Sequence, residues 1–366
     1  MQVTKLSLRN FRNYDEAEVL AEKGMTVFAG ENAQGKTNIL EAIHLCCTGR
    51  SHRTTKDEEM IRWGENVAKV HALATQRDGT HEVSILLSKG QKKKKTVRIG
   101  ARQAERIGEL FGHIFGVLFS PEDLQIIKGG PSERRRFIDM QLSQLIPAYF
   151  YLLQRSMHVL NQRNSLLREI SFKPSLESTL GLWDEQLARA GGEIVKYRRN
   201  AIEKISQYAQ EEHSLLTEGK EELKLRYISE AARAENPEEV LFRKLTEMRE
   251  EDIRRGTTQS GIHRDDIAIS INGKDTRTYA SQGQQRSAVL SLKLAQTSFA
   301  EEIRGEAPIL MLDDVMSELD PVRRRHLIER IDRLQTFVTC TDISDLAGAK
   351  QGRIYQVSGG NIQIEV

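Results

Sequence analysis

Cysteine is nearly missing from the sequence: Cys46 and Cys47 stand side by side and Cys340 stands alone among 366 residues. That spacing offers neither a disulfide framework nor a Cys-x-x-Cys metal site, so three reduced thiols are expected. Aromatic residues make up only 6% of the chain, and no strand-like stretch is rich in Phe or Tyr, which argues against a stacking platform for single-stranded nucleic acid. No apolar run approaches the roughly 20 residues that cross a bilayer. The opening MQVTKLSLRNF alternates like a strand where an export signal would have a charged and then an apolar segment, so a cytoplasmic protein with no membrane partner is expected. Neither sign of charge dominates. The formal net charge is +2, too small to announce a nucleic-acid binder, so any such activity must rest on local clusters of basic residues.

What is present is a core-forming composition, 39% hydrophobic and 29% charged, in a chain long enough for two domains. Residues 1–128 carry short strand patterns: VTKLSL, MTVFAG, HEVSILLS, TVRIG and GVLFS. From Ser132 to about Arg254 the pattern becomes helical, in charged stretches punctuated by Pro147, Pro174, Gly191, Gly192 and Pro237. Strand signals return after Gly256 with IAISING, PILMLDD, TFVTC and a closing pair, RIYQVS and IQIEV. The expected architecture is an α/β ATPase-like domain formed from 1–128 and 256–366, a mixed sheet with helices, interrupted by a helical insertion at 129–255. The helical stretches are too short and too broken for a long coiled coil.

GENAQGKT, Gly30 to Thr37, fits the phosphate-cradling pattern G-x-x-x-x-G-K-[ST]. It follows the strand MTVFA and opens the helix NILEAIHLCC, the context the motif requires. The glycines let backbone N–H groups approach phosphate oxygens, Lys36 can reach the β- and γ-phosphates, and the Thr37 hydroxyl can ligate Mg²⁺. PILMLDD is an apolar strand ending in two carboxylates. Asp313 is expected to hold Mg²⁺ through water, and Asp314 to orient or polarise an attacking water. A second polar helix mouth, SQGQQ, begins at Ser281. By itself it suits an ordinary capped helix as well as an anion site.

Ser281, Gly283 and Gln284 match the serine-glycine-glycine-glutamine signature of the ABC-type ATPases, with Gln282 in place of the first glycine. SELD, Ser317 to Asp320, resembles the loop that follows the second carboxylate in that superfamily. PEDLQIIKGGPSERRRFID, GIHRDD and LMLDDVMSELDPVRRRHL, together with LSLRNFRNY near the start, resemble the RecF family of bacterial recombination and repair ATPases over nearly the whole chain. The resemblance implies an ABC-type P-loop head with an α-helical second lobe. It implies ATP and Mg²⁺ held by Gly30, Glu31, Asn32, Ala33, Gln34, Gly35, Lys36, Thr37, Asn38 and Asp313, with Lys36 and Asp314 catalytic. It further implies that Ser281, Gly283 and Gln284 act in trans on the nucleotide of a second copy, so that ATP clamps a homodimer and slow hydrolysis releases it. Binding to duplex and gapped DNA, and loading of RecA with RecO and RecR, are implied in the same way.

The chain departs from its relatives at several points. Asp314 stands where many have glutamate, Thr341 stands where transporters have a switch histidine, and Ile262 stands where a proline is expected in GIHRDD. The inter-lobe glutamine is replaced by the Pro121 region, with Gln125 nearby but not aligned. The missing histidine weighs against a transporter subunit, and the short insertion weighs against a coiled-coil chromosome ATPase. A structural DNA-binding adaptor that never turns nucleotide over stays open. So does the role of the basic clusters at Lys92–Lys95, Arg134–Arg136, Arg198–Arg199, Arg254–Arg255 and Arg323–Arg325. Each suits a solvated face as well as a phosphate contact. For Arg134–Arg136 the expectation is a helix capped by Ser132, with Phe137, Ile138 and Leu142 turned to the core.

Overall fold

The structure is a computed structural model that describes residues 1–364 except Lys92 and Ala347. Lys92 of the basic run, and Glu365 and Val366 of the expected IQIEV strand, thus lie outside the described residues. The chain divides into two compact units, one of residues 1–123, 212–220 and 286–366, the other of residues 124–211 and 221–285. Two helices, Leu180–Leu216 and Gln282–Arg304, run through these divisions. The units divide at 123/124 and 285/286, with 212–220 joining the first, and not at 128 and 256, where the strand and helix patterns change.

The first unit contains two six-stranded sheets. In one, the strands run in the order Asn361–Ile364, Gln351–Ser358, Met25–Ala29, Thr336–Cys340, Ile309–Asp313, Gly116–Phe119. All neighbours are parallel except the closing pair. Every residue of Met25–Ala29, Ile309–Asp313 and Thr336–Cys340 is buried, as expected of strands covered on both faces. Phe28 stacks between Tyr355 and Phe337, at 5.7 and 6.5 Å between ring centroids, contacts that add about 0.5–1.5 kcal/mol each beyond simple burial. The other sheet is antiparallel, in the order Tyr14–Leu20, Gln2–Phe11, Val67–Gln76, Gly79–Ser88, Lys95–Ile99, Arg102–Gln103. The helix Lys36–Thr48 buries Ile39, Leu40, Ala42 and Ile43 in one cluster with Val70 and Val83 of this sheet and Met311 and Phe337 of the other. Gly49, at φ 68°, closes the helix by donating its N–H to the Leu45 carbonyl at 2.7 Å.

The second unit is mainly helical: Pro131–Leu145, Pro147–Ile170, most of Leu180–Leu216, Pro237–Glu247 and Arg249–Arg255. Pro131, Pro147 and Pro237 each occupy the first turn of a helix, where a missing N–H costs nothing. Two expectations change here. The helix that carries Arg134–Arg136 starts at Pro131 and is capped by Gly130 without a side-chain bond, so Ser132 lies inside it rather than capping it; Phe137, Ile138 and Leu142 are buried as expected. Gly191 and Gly192 do not interrupt their helix. A Cβ at Gly192 would lie 2.8 Å from the Glu238 backbone, and one at Gly191 2.9 Å from the Leu241 side chain. The glycines let the helix Pro237–Glu247 approach closely, which offsets their helix penalty of about 1 kcal/mol each. The unit also holds a strand, Leu223–Ile228, paired antiparallel with Asp266–Ile271. Leu223 and Leu225 are buried while Lys224 and Arg226 are exposed, a two-residue period hidden within a helical context.

Candidate nucleotide site

The loop between Met25–Ala29 and the helix Lys36–Thr48 needs residues at positive φ: Gly30 (154°), Ala33 (65°) and Gly35 (115°). Space restricts two of them further. A Cβ on Gly30 would meet the Val357 carbonyl oxygen at 2.3 Å, and one on Gly35 would meet Asn13 and Tyr14 side-chain atoms at 2.6–2.9 Å. Lys36 folds back over the loop and donates to the carbonyls of Gly30 (2.5 Å) and Glu31 (2.8 Å). Burial pushes its ammonium below the ordinary lysine range, opposed chiefly by the nearby Asp314 carboxylate.

Thr37 and Asp313 meet at the ends of their elements. The Thr37 hydroxyl donates to Asp313 Oδ1 at 2.9 Å, and the Thr339 hydroxyl donates to the same oxygen at 2.9 Å. Thr339 Oγ1 in turn accepts the Asp314 N–H at 2.9 Å, because parallel pairing sets Thr339 opposite Asp313. Asp314 sits at φ 53°, and the Ser317 hydroxyl donates to its carbonyl at 3.0 Å. Burial raises the Asp313 carboxyl above the ordinary carboxylate range, although both threonine hydroxyls favour the charged form. Among the described residues no lysine or arginine forms an ion pair with it. A buried carboxylate held only by neutral hydroxyls at the mouth of a phosphate loop is a donor set that suits a hard divalent cation.

Around this centre lies a shell that the motifs did not reveal. Asn13 Nδ2 donates to the Gln34 carbonyl (2.8 Å), Asn38 Nδ2 donates to Asn13 Oδ1 (2.8 Å), and the Tyr14 hydroxyl donates to the Gly35 carbonyl (3.0 Å). The Gly359 N–H donates to Gln34 Oε1 at 2.7 Å. The turn in LSLRNFRNY and the closing hairpin therefore grip the loop from two sides, while Glu31, Asn32 and Ala33 stay exposed. One helical turn below Thr37, the fully buried Glu41 accepts a bidentate pair from Arg12 at 2.6 and 2.7 Å and a bond from Ser51. Burial alone would raise the Glu41 carboxyl, but those bonds outweigh it and hold the group below its usual range. In the sequence Glu41 stands out only as one acid on an otherwise apolar helix face, NILEAIHLCC.

Ser281, Gly283 and Gln284 lie in the other unit. Ser281 and Gln284 form a reciprocal cap: the Ser281 N–H donates to Gln284 Oε1 (2.8 Å) and the Gln284 N–H to Ser281 Oγ (3.2 Å). Gln284 Nε2 also donates to Glu221 at 2.8 Å, and Ser281 remains exposed.

The basic clusters separate by partner. Arg134 makes a bidentate pair with Asp266 (2.6 and 2.9 Å), Arg135 donates to the Asp265 carbonyl (2.6 Å), and the buried Arg198 joins Asp139 and Asp265 (2.8 and 2.9 Å). The RRRFID and GIHRDD motifs are thus partners in one internal network. Lys94 and Lys95 pair with Glu58 and Asp57 (2.8 and 2.7 Å), Arg254 and Arg255 with Glu251, and Arg323 with Asp320. Among the described residues Lys93, Arg136 and Arg325 carry no such bond.

A P-loop after a buried parallel strand, a carboxylate-ended strand two positions across that sheet, and a serine-glutamine helix cap in a helical lobe define an ABC-type ATPase head. The comparisons narrow this further. The family model for the RecF/RecN/SMC N terminal domain matches residues 2–361, and the chain belongs to the RecF family of DNA replication and repair proteins. It is 42% identical to the DNA replication and repair protein RecF of Ruminiclostridium cellulolyticum and 44% identical to that of Lachnoclostridium phytofermentans, each alignment covering 99% of both chains. Among solved structures, a recombination mediator protein RecF with ATP, of the RecFOR pathway, superposes with a TM-score of 0.92 at 34% identity, covering 100% of this chain and 98% of the other. Among the described residues no helix is long and apolar enough to cross a membrane.

Proposed function

We propose that the chain binds ATP at Gly30–Thr37, with Gln34 and Asn38 positioned by Asn13, and that ATP joins two copies into a dimer. Thr37 and Asp313 would hold Mg²⁺, which supplies charge neutralisation of the phosphates when bound. Ser281, Gly283 and Gln284 of one copy complete the site of the other, and Asp314 orients the attacking water. With a carboxylate one methylene shorter than glutamate, turnover is slow, and DNA stimulates it. The dimer binds duplex and gapped DNA through phosphate contacts without reading bases, and it helps load RecA with RecO and RecR. The observation that carries this reading is the convergence of Thr37, Thr339 and Asp313 at the mouth of the phosphate loop. The RecF structure with ATP, at 34% identity over the whole chain, supports the choice of nucleotide.

Sedimentation velocity with a slowly hydrolysed ATP analogue, with and without gapped duplex, tests it. The expected result is a monomer that becomes a dimer with the analogue. A single monomeric boundary at saturating analogue under both conditions would overturn the trans site. Phosphate release measured with and without DNA separates a slow ATPase from an adaptor, which would release none.

A further inference from the structure

The end of the parallel sheet away from the phosphate loop carries a basin of about 690 Å³. It is lined by the residues that enter three of the strands: Met25, Ala307 just before Ile309–Asp313, and Gln335 just before Thr336–Cys340. Strands of five residues put it roughly 17 Å from the nucleotide site. Gln335 fixes the wall. It is buried, its amide donates to the Val3 and Glu22 carbonyls at 2.6 and 3.0 Å, and it accepts the Val3 N–H at 2.7 Å.

Lys23, Arg77, Arg333 and Lys350 rim the basin, and all four are exposed. None of their side chains forms an ion pair or hydrogen bond among the described residues, in contrast with most basic clusters of this chain. Of the two carboxylates that line it, Glu306 is already engaged by the Arg77 N–H (2.7 Å) and the N-terminal ammonium (2.9 Å). The floor is apolar, with Ile331 1% and Met25 4% exposed and Leu334 beside them.

We propose that this basin docks an acidic peptide segment of a protein partner, its carboxylates on the four unpaired cations and an apolar side chain on the Ile331–Leu334 floor. A peptide fits better than nucleic acid because the basin has an apolar floor beneath its cationic rim, which an apolar side chain fills and a phosphate backbone does not. Placement at the far ends of the strands leaves the basin independent of the nucleotide reading.

The test is fluorescence anisotropy with the full chain and a fluorescein-labelled Asp-Asp-Glu-Asp-Leu-Phe peptide at low salt. Saturable binding is expected, weaker by at least about tenfold for Arg333→Glu/Lys350→Glu and for the uncharged Asn-Asn-Gln-Asn-Leu-Phe peptide. Lys23→Glu/Arg77→Glu serves as a second variant, and unchanged affinity for a fluorescent ATP analogue reports that each variant is folded. Absence of saturable binding, or equal binding by both variants and wild type, overturns the proposal. So does a short blunt duplex that displaces the peptide and loses affinity for the variants by the same factor, which would make the basin a nucleic-acid surface.

Discussion

Thr37 and Asp313, 276 positions apart, are joined by a 2.9 Å hydrogen bond from hydroxyl to carboxylate. The phosphate loop and the carboxylate-ended strand are therefore one site within one unit, and the only charge in that bond is on Asp313. Asp313→Asn keeps the shape and removes the charge. Titrated with a fluorescent ATP analogue, the wild type should bind more tightly with Mg²⁺ than with EDTA, and the variant should lose about tenfold or more of that gain, ~1.4 kcal/mol. Affinity in EDTA should be unchanged. A variant with the full Mg²⁺ dependence would remove Asp313 from the metal.

Asp314 follows at positive φ, its N–H tied to Thr339, so its carboxylate is set apart from the one that Thr37 binds. Asp314→Asn should slow phosphate release and accumulate the ATP-bound dimer in light scattering, whereas Lys36→Ala should abolish ATP-driven pairing. An Asp314→Asn protein that stays monomeric with ATP would contradict the role given to it, and an unimpaired Lys36→Ala dimer would contradict the trans site.

The candidate site was legible because its motifs are local: Gly30–Thr37 and Leu310–Asp314 each lie in a few consecutive residues, and strand and helix patterns flank them. The grip on the loop by Asn13, Tyr14 and Gly359 was not legible, because sequence spacing says nothing about which turns converge in space. The Leu223–Ile228 strand was lost among helix formers, since six residues of alternation are weak against long helical neighbours. Gly191 and Gly192 read as breaks because propensity is local, while the close approach of Glu238 that requires them is tertiary. The arginine clusters were ambiguous for a related reason. Only the fold shows that Arg134 and Arg198 face carboxylates rather than solvent.

The Glu41–Arg12 pair anchors the first helix to the turn that grips the phosphate loop. Removing one partner of such a buried pair costs about 3–5 kcal/mol, and the partial exposure of Arg12, 18%, favours the lower end. Glu41→Gln should lower the thermal midpoint at neutral pH. The Glu41 carboxyl is held below its ordinary 4.5 in the folded chain, so its stabilisation is full above that value and is lost as pH falls through the depressed one. The gap between wild type and variant should therefore narrow below about pH 4.5. A gap that stays constant into acid would show that the stabilisation does not come from the ionised carboxylate.

Basic residues with and without internal partners make opposite predictions for DNA. Lys93, Arg136 and Arg325 are exposed and make no ion pair among the described residues, so each is available to a phosphate. Replacing one that contacts DNA by glutamine should weaken duplex binding equally for all sequences, and should reduce the slope of log affinity against log salt by about 1. Arg134, bonded to Asp266 on two atoms, should instead cost stability: Arg134→Gln should lower the melting temperature and leave the salt slope of the folded protein unchanged. Fluorescence anisotropy with a labelled duplex over a salt series, beside thermal melts of each variant, distinguishes the two groups. A reduced slope in Arg134→Gln alone would mean that the Asp266 pairing opens to admit a phosphate and that the internal network is itself part of the DNA surface.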